Sequence, residues 1–117
     1  MMKRFNSTLL APLITLAISS ATFAGGTTTS KIVELGMIPA ANLVWVQMAG
    51  PIATPAACSS NSFFAINLGT DGGRSTYKMF LTAQVQNLPV TVYGTGSCKT
   101  YSGIEDILYI WYDPPTT

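Results

Sequence analysis

Five stretches of the chain carry the apolar pattern of strands and one carries a helical period. The strand-like stretches are Lys31 to Ile38 (KIVELGMI), in which both faces carry apolar residues, Leu43 to Met48 (LVWVQM), Phe63 to Leu68 (FFAINL), Pro89 to Tyr93 and Asp106 to Tyr112. Each is bounded by Gly, Pro, Asn or Asp, as strands are. Between the third and fourth, Tyr77, Phe80, Leu81, Val85 and Leu88 fall on one stripe at about 100° per residue, with Lys78, Thr82 and Gln86 opposite. This predicts an amphipathic helix covering an apolar sheet. Asp71 or Ser75 can cap its first turn, Asn87 can take a left-handed residue after its last, and Pro89 blocks continuation.

The order is strand, strand, strand, helix, strand, strand, and the fold class it predicts is a small β-barrel with one helix. That is the chain order of the oligonucleotide/oligosaccharide-binding barrel. An α+β sheet with one packed helix gives the same string. Pro39 to Asn42 reads as the turn of a hairpin between the first two strands, with Gly36 as a bend. Ala49 to Asn61, rich in Pro, Ala, Gly and Ser, reads as a loop, and Gly25 to Ser30 as a polar lead. In the last strand Leu108, Ile110 and Tyr112 alternate with Ile107, Tyr109 and Trp111, so both faces are apolar, as in a strand buried twice or joining an interface.

Residues 1–24 have the form of a cleaved leader. Lys3 and Arg4 precede an apolar run, and Thr22-Phe23-Ala24 ends it with small residues at the positions a signal peptidase reads. The run is shorter than the roughly 20 residues needed to cross a bilayer, so no stable membrane insertion is expected after cleavage. The expected mature chain is a single domain of residues 25–117, periplasmic or secreted. Its four cations, Lys31, Arg74, Lys78 and Lys99, face five anions, which leaves one net negative charge. A nucleic-acid partner is excluded, because phosphate neutralisation needs a cationic patch. So few charges imply a surface that is partly apolar or hydroxylic. Cys58 and Cys98 are the two cysteines and have no competitor for pairing in an oxidising compartment.

The candidate chemistry is thin. The chain holds no histidine, the side chain most used as a general base near neutral pH. Glu105 and Asp106 are adjacent and would point to opposite faces of a strand. Two thiolates without histidine cannot complete a structural zinc site. No enzyme, metal or cofactor is expected. The Gly94-Thr95-Gly96 turn precedes no helix and lacks the lysine and hydroxyl of a phosphate loop. Gln84 falls within the apolar stripe of the helix, where an amide requires a partner. The aromatic side chains are the best material for recognition, since flat rings beside Ser, Thr and Asn suit sugars, peptides or another subunit. Tyr101, Tyr93 and Trp111 are the expected ligand-binding residues, and Tyr109 with Trp111 the expected interface.

A cysteine before FFAINL, the segment YKMFLTAQVQNLPVTVYGTGSC and a last strand after GIEDI together resemble a group of short exported bacterial proteins of uncharacterised function. The resemblance runs from about Cys58 to Tyr109, with Asn87 where glycine would be expected. The order of elements is also similar to that of the binding subunits of pentameric bacterial toxins of the cholera and subtilase type. That topological resemblance implies a small disulfide-bonded barrel whose rings bind cell-surface glycans, with no sugar-contact motif to carry over. The expectation is therefore an exported binding module for a glycan or protein partner, working as a homo-oligomer. Its rivals are a structural subunit with no small ligand, and an enzyme inhibitor presenting the Ala49 to Asn61 loop.

Overall fold

The computed structural model describes residues 25–60 and 62–113. The expected leader over residues 1–24 and its cleavage site lie outside the described residues, as do Asn61 and residues 114–117. The elements are β1 (Thr27–Ser30), β2 (Ile32–Ile38), a 3-10 turn (Pro39–Ala41), β3 (Leu43–Met48), β4 (Phe63–Asn67), α1 (Asp71–Val85), β5 (Val90–Gly94) and β6 (Glu105–Trp111). The five expected strands appear within one residue of their expected ends. β1 is a sixth: Gly25 to Ser30 is not a loose lead, because Thr27–Ser30 pairs antiparallel with β5 and Gly25 and Gly26 are buried. Three β-branched threonines suit a strand.

The strands form one mixed sheet in the order β1-β5-β6-β4-β3-β2, curled into a half-barrel. All junctions are antiparallel except β4 with β6, which run parallel over Phe64 opposite Glu105 and Ala65 opposite Asp106. β1 and β2 stand at opposite ends of this order but are successive in the chain, joined through Lys31, whose carbonyl accepts from Ala49 N at 2.8 Å. The chain itself therefore bridges the open side. Inside lie Val44, Val46, Met48, Phe64, Ile66, Val90 and Val92, closed over by Phe80 and Ala83 of α1. A second cluster, Leu43, Ala65 and Ile104 with Trp45 and Phe63 against it, covers the other face of β3 and β4, so β4 is buried twice. Gly36 is not a bend: Trp45, its cross-strand partner, lies over it, and a Cβ there would fall 1.9 Å from the indole.

The expected stripe is buried in part, at Tyr77, Phe80 and Leu88, turned so that Ala83 joins it and Leu81 and Val85 do not. Phe80 and Ala83 are buried and Thr76 and Tyr77 half-buried, whereas Leu81 and Val85 are exposed and so is Gln84, which has no apolar surroundings to satisfy. Small residues decide this rotation. A Cβ on Gly73 would lie 1.7 Å from Asn67 O, so the helix start packs directly on the end of β4. Thr70, not Asp71 or Ser75, caps the helix, its hydroxyl accepting from Gly73 N at 2.9 Å. At the other end Asn87 is left-handed, φ 55°, with Leu88 N donating to Ala83 O and Asn87 N to Gln84 O. These two bonds satisfy the last helical carbonyls.

Cys58 and Cys98 are bonded, joining the loop before β4 to the segment before β6. Glu105, the first residue of β6, is 1% exposed. Its Oε2 accepts from Gly26 N at 2.8 Å and Gly96 N at 3.1 Å, and its Oε1 from Ala56 N at 3.0 Å. One side chain thus ties the turn between β5 and β6, the loop carrying Cys58 and the entry to β1.

Two stability outcomes are expected from urea denaturation. Cys58→Ser with Cys98→Ser should lose about 4 kcal/mol, the chain-entropy value for so long a loop. Asn87→Ala should lose about 1 kcal/mol, because alanine resists the left-handed conformation.

Candidate aromatic binding surface

β6 does not keep its period. Tyr93 pairs with Tyr109, but Gly94 pairs with Ile107, so Leu108 is an extra residue in the ladder. A bulge of this kind reverses the facing of everything beyond it. Ile110 and Tyr112 pack on the core on one side of it and Ile107 on the other, and Glu105 follows Ile107 inward. Leu108, Tyr109 and Trp111 are left outside, 47%, 41% and 45% exposed. The two apolar faces expected of this strand are thus one continuous inner set and one outer set dominated by rings.

On the outer face Tyr93, Tyr109 and Trp111 form a block. Tyr93 and Tyr109, directly opposite each other, stack with centroids 4.7 Å apart and planes 16° apart. Trp111 stacks on Tyr109 at 5.7 Å and 12°, and on Tyr93 at 5.5 Å and 23°. These are offset parallel arrangements that favour aromatic pairs. The rings hold one another upright, so that little rotamer freedom is left to lose when a ligand binds. β1 extends the surface with hydroxyls. Thr27 stands opposite Tyr93, and Thr29 opposite Thr91, with the two threonine hydroxyls 2.8 Å apart. Thr91 in turn pairs with Trp111. Two cross-strand rows result, Thr27-Tyr93-Tyr109 and Thr29-Thr91-Trp111, neither with a charged residue.

Of the residues singled out from the chain, Tyr93, Tyr109 and Trp111 are therefore brought together, and the division into ligand-binding and interface sets dissolves. Tyr101 stands apart. It is 42% exposed, in a turn where Ile104 N donates to Tyr101 O, and makes no ring contact with the block. Thr27 and Thr29 carry no such signal in the sequence, because their short hydroxylic segment has no apolar alternation.

A cleft of about 280 Å³ lies between the start of α1 and the β4–β6 junction, lined by none of the three rings. Asn67, Thr70, Thr76, Thr100, Asp106 and the bulged Leu108 line it. Asp106 is held by the backbone, its oxygens accepting from Lys99 N at 2.7 Å and Thr100 N at 3.0 Å. Glu105 and Asp106 do point apart, one into the interior and one into this cleft, so they do not form a cooperating pair. Among the described residues no group of three His, Cys, Asp or Glu side chains could hold a metal ion, and no helix is long and apolar enough to cross a membrane. Compared with protein-family models, curated proteins and solved structures, the chain gives no significant match.

Removing one ring should loosen the other two. Tyr109→Ala is expected to cost about 1 kcal/mol in urea denaturation, in the range measured for aromatic pairs, and to reduce the near-ultraviolet circular dichroism of the coupled rings.

Proposed function

We propose that this chain is an exported, non-enzymatic binding module that recognises a glycan through the Tyr93-Tyr109-Trp111 block, its leader being removed after Ala24. The observation that carries the reading is the block itself: three parallel rings, two of them over 40% exposed, bordered by threonine hydroxyls and free of charge. A sugar ring offers an apolar face of C–H groups and a rim of hydroxyls. Flat aromatic surface suits the first and Thr27 and Thr29 the second. Affinity of this kind depends little on ionic strength, since no ion pair is involved. The disulfide agrees with an oxidising compartment. The half-barrel with its helix between β4 and β5 supports the oligonucleotide/oligosaccharide-binding topology expected from the order of elements.

A second reading, assembly into a homo-oligomer, is favoured by a separate set of residues. α1 leaves Met79, Leu81 and Val85 exposed, the last at 85%, and the edge strand β2 leaves Val33 and Met37 exposed. Exposed apolar side chains on one helix and one sheet edge fit contact with further copies of the chain. The two readings are compatible, as in a ring whose subunits each present an aromatic block outward.

A glycan array probed with the chain from Gly25 to Thr117 is expected to give hits that Trp111→Ala weakens at least tenfold and that persist from low to high salt. Tyr101→Ala should leave them intact; loss with Tyr101→Ala alone would move the site to the Tyr101–Ile104 turn. Light scattering over a wide concentration range tests assembly, with a fixed multiple of the chain mass expected and a monomer throughout counting against it.

A further inference from the structure

Among the described residues Glu105 makes no ion pair with a cationic side chain. The ion pair among the described residues is Arg74 with Asp71, both on the surface. A carboxylate taken out of water and left without a counter-charge is destabilising even when its oxygens are hydrogen-bonded. Its three donors are all neutral backbone amides: Gly26 N, Ala56 N and Gly96 N. The neighbourhood has nevertheless been cleared for close approach. A Cβ on Gly94 would sit 1.7 Å from Glu105 Oε2, and one on Gly26 3.0 Å from Oε1. Gly25 is buried in the same place, where a Cβ would lie 3.0 Å from Glu105 Oε2 and 1.9 Å from Gly94 O. The nitrogen of Gly25 shares that Cα, so standard bond geometry puts it within about 5.5 Å of the carboxylate in any orientation.

Gly25 is also the first residue after the expected cut. We propose that Glu105 is the receptor for the α-ammonium group released at Gly25 when the leader is removed, an inference that rests on the export reading above. Hydrolysis of the Ala24–Gly25 peptide bond by water gives a carboxylate on the departing leader and an amine on Gly25, which takes up a proton. A neutral amide with one N–H becomes a cation with three. The new charge arises beside the buried carboxylate, and charge-assisted hydrogen bonds are stronger than those between neutral groups. Before cleavage the entry to β1 is held without a cation: Gly26 N to Glu105, Gly94 N to Gly26 O at 2.8 Å, and the Thr54 hydroxyl to Gly25 O at 3.2 Å. After cleavage the same entry is clamped by an ion pair. Processing thereby tightens β1 onto β5 only once the leader is gone, leaving the precursor the looser fold that passage through a membrane requires.

The test compares the oxidised chain from Gly25 to Thr117 bearing a free N-terminus with the same chain Nα-acetylated, each with Glu105 and with Glu105→Gln. With Glu105, the free amine is expected to raise the folding equilibrium constant at least tenfold over the acetylated chain, and Glu105→Gln is expected to abolish that difference. Equal stability of the two Glu105 chains overturns the proposal, as does a difference that survives in Glu105→Gln. Should the Gln variants not fold, hydrogen exchange of the Gly26 and Thr28 amides decides. It is expected to be at least tenfold slower in the free-amine Glu105 chain than in its acetylated form, and equal rates overturn the pairing. The intact mass of the chain recovered after expression from Met1 is expected to begin at Gly25. No cleavage overturns the export reading and the proposal with it, whereas a cut that leaves a different first residue overturns the proposal alone. A cut at Gly25 with no stability difference overturns the proposal alone.

Discussion

The half-barrel depends on one buried carboxylate. Glu105 stands where three segments distant in sequence must meet: the start of β1, the loop that carries Cys58, and the turn between β5 and β6. Each presents an N–H to the carboxylate, and those of Gly26 and Ala56 are buried. A single side chain with two oxygens satisfies all three. The glycines at 25 and 94 follow from this, because side chains there would occupy the space of the carboxylate or of Gly94 O, while one at 26 would meet Ile52. The Cys58–Cys98 bond, in the same region, limits the unfolded chain, whereas the Glu105 contacts exist only in the folded one.

The bulge at Leu108 is what separates the interior from the recognition surface. Without the extra residue, Glu105 would share a face with Tyr109 and Trp111, and burying the carboxylate would drag the rings inward. With it, Ile107 and Glu105 point in below the bulge and Ile110 and Tyr112 point in above it, while the rings face out. The β5–β6 pair therefore serves the core on one side, through Val90, Val92 and Ile110, and carries the aromatic block on the other. The same bulge delivers Leu108 to the cleft at the β4–β6 junction.

Elements governed by local pattern were legible in the chain: five strands, the extent of the helix, the left-handed Asn87 and the cysteine pair. What was not legible depends on neighbours. The rotation of α1 follows Gly73, which lets the helix start approach β4, and buried Ala83, whereas ranking positions by apolar size also draws Leu81 and Val85 into the stripe. β1 is short and hydroxylic, so it has no apolar alternation to announce it, and its identity comes from pairing with β5. A bulge leaves no trace in periodicity when the strand is apolar on both faces, as Ile107 to Trp111 is. The rings of the candidate site were all named from the sequence, but their meeting depends on the register of β5 against β6.

The parallel junction of β4 with β6 is the shortest in the sheet, with only Phe64-Glu105 and Ala65-Asp106 in register, against four or more residue pairs at each of the others. Mechanically, the molecule is two three-stranded leaves, β1-β5-β6 and β2-β3-β4, meeting along a narrow seam. The bend at Lys31 acts as the spine on the far side. The cleft lined by Asn67, Asp106 and Leu108 lies along that seam, so its width follows the angle between the leaves. A load applied to the aromatic leaf reaches the other through only two ladder pairs, and otherwise through the shared apolar core, the Lys31 connection, the Glu105 contact to Ala56 and the sulfur bridge.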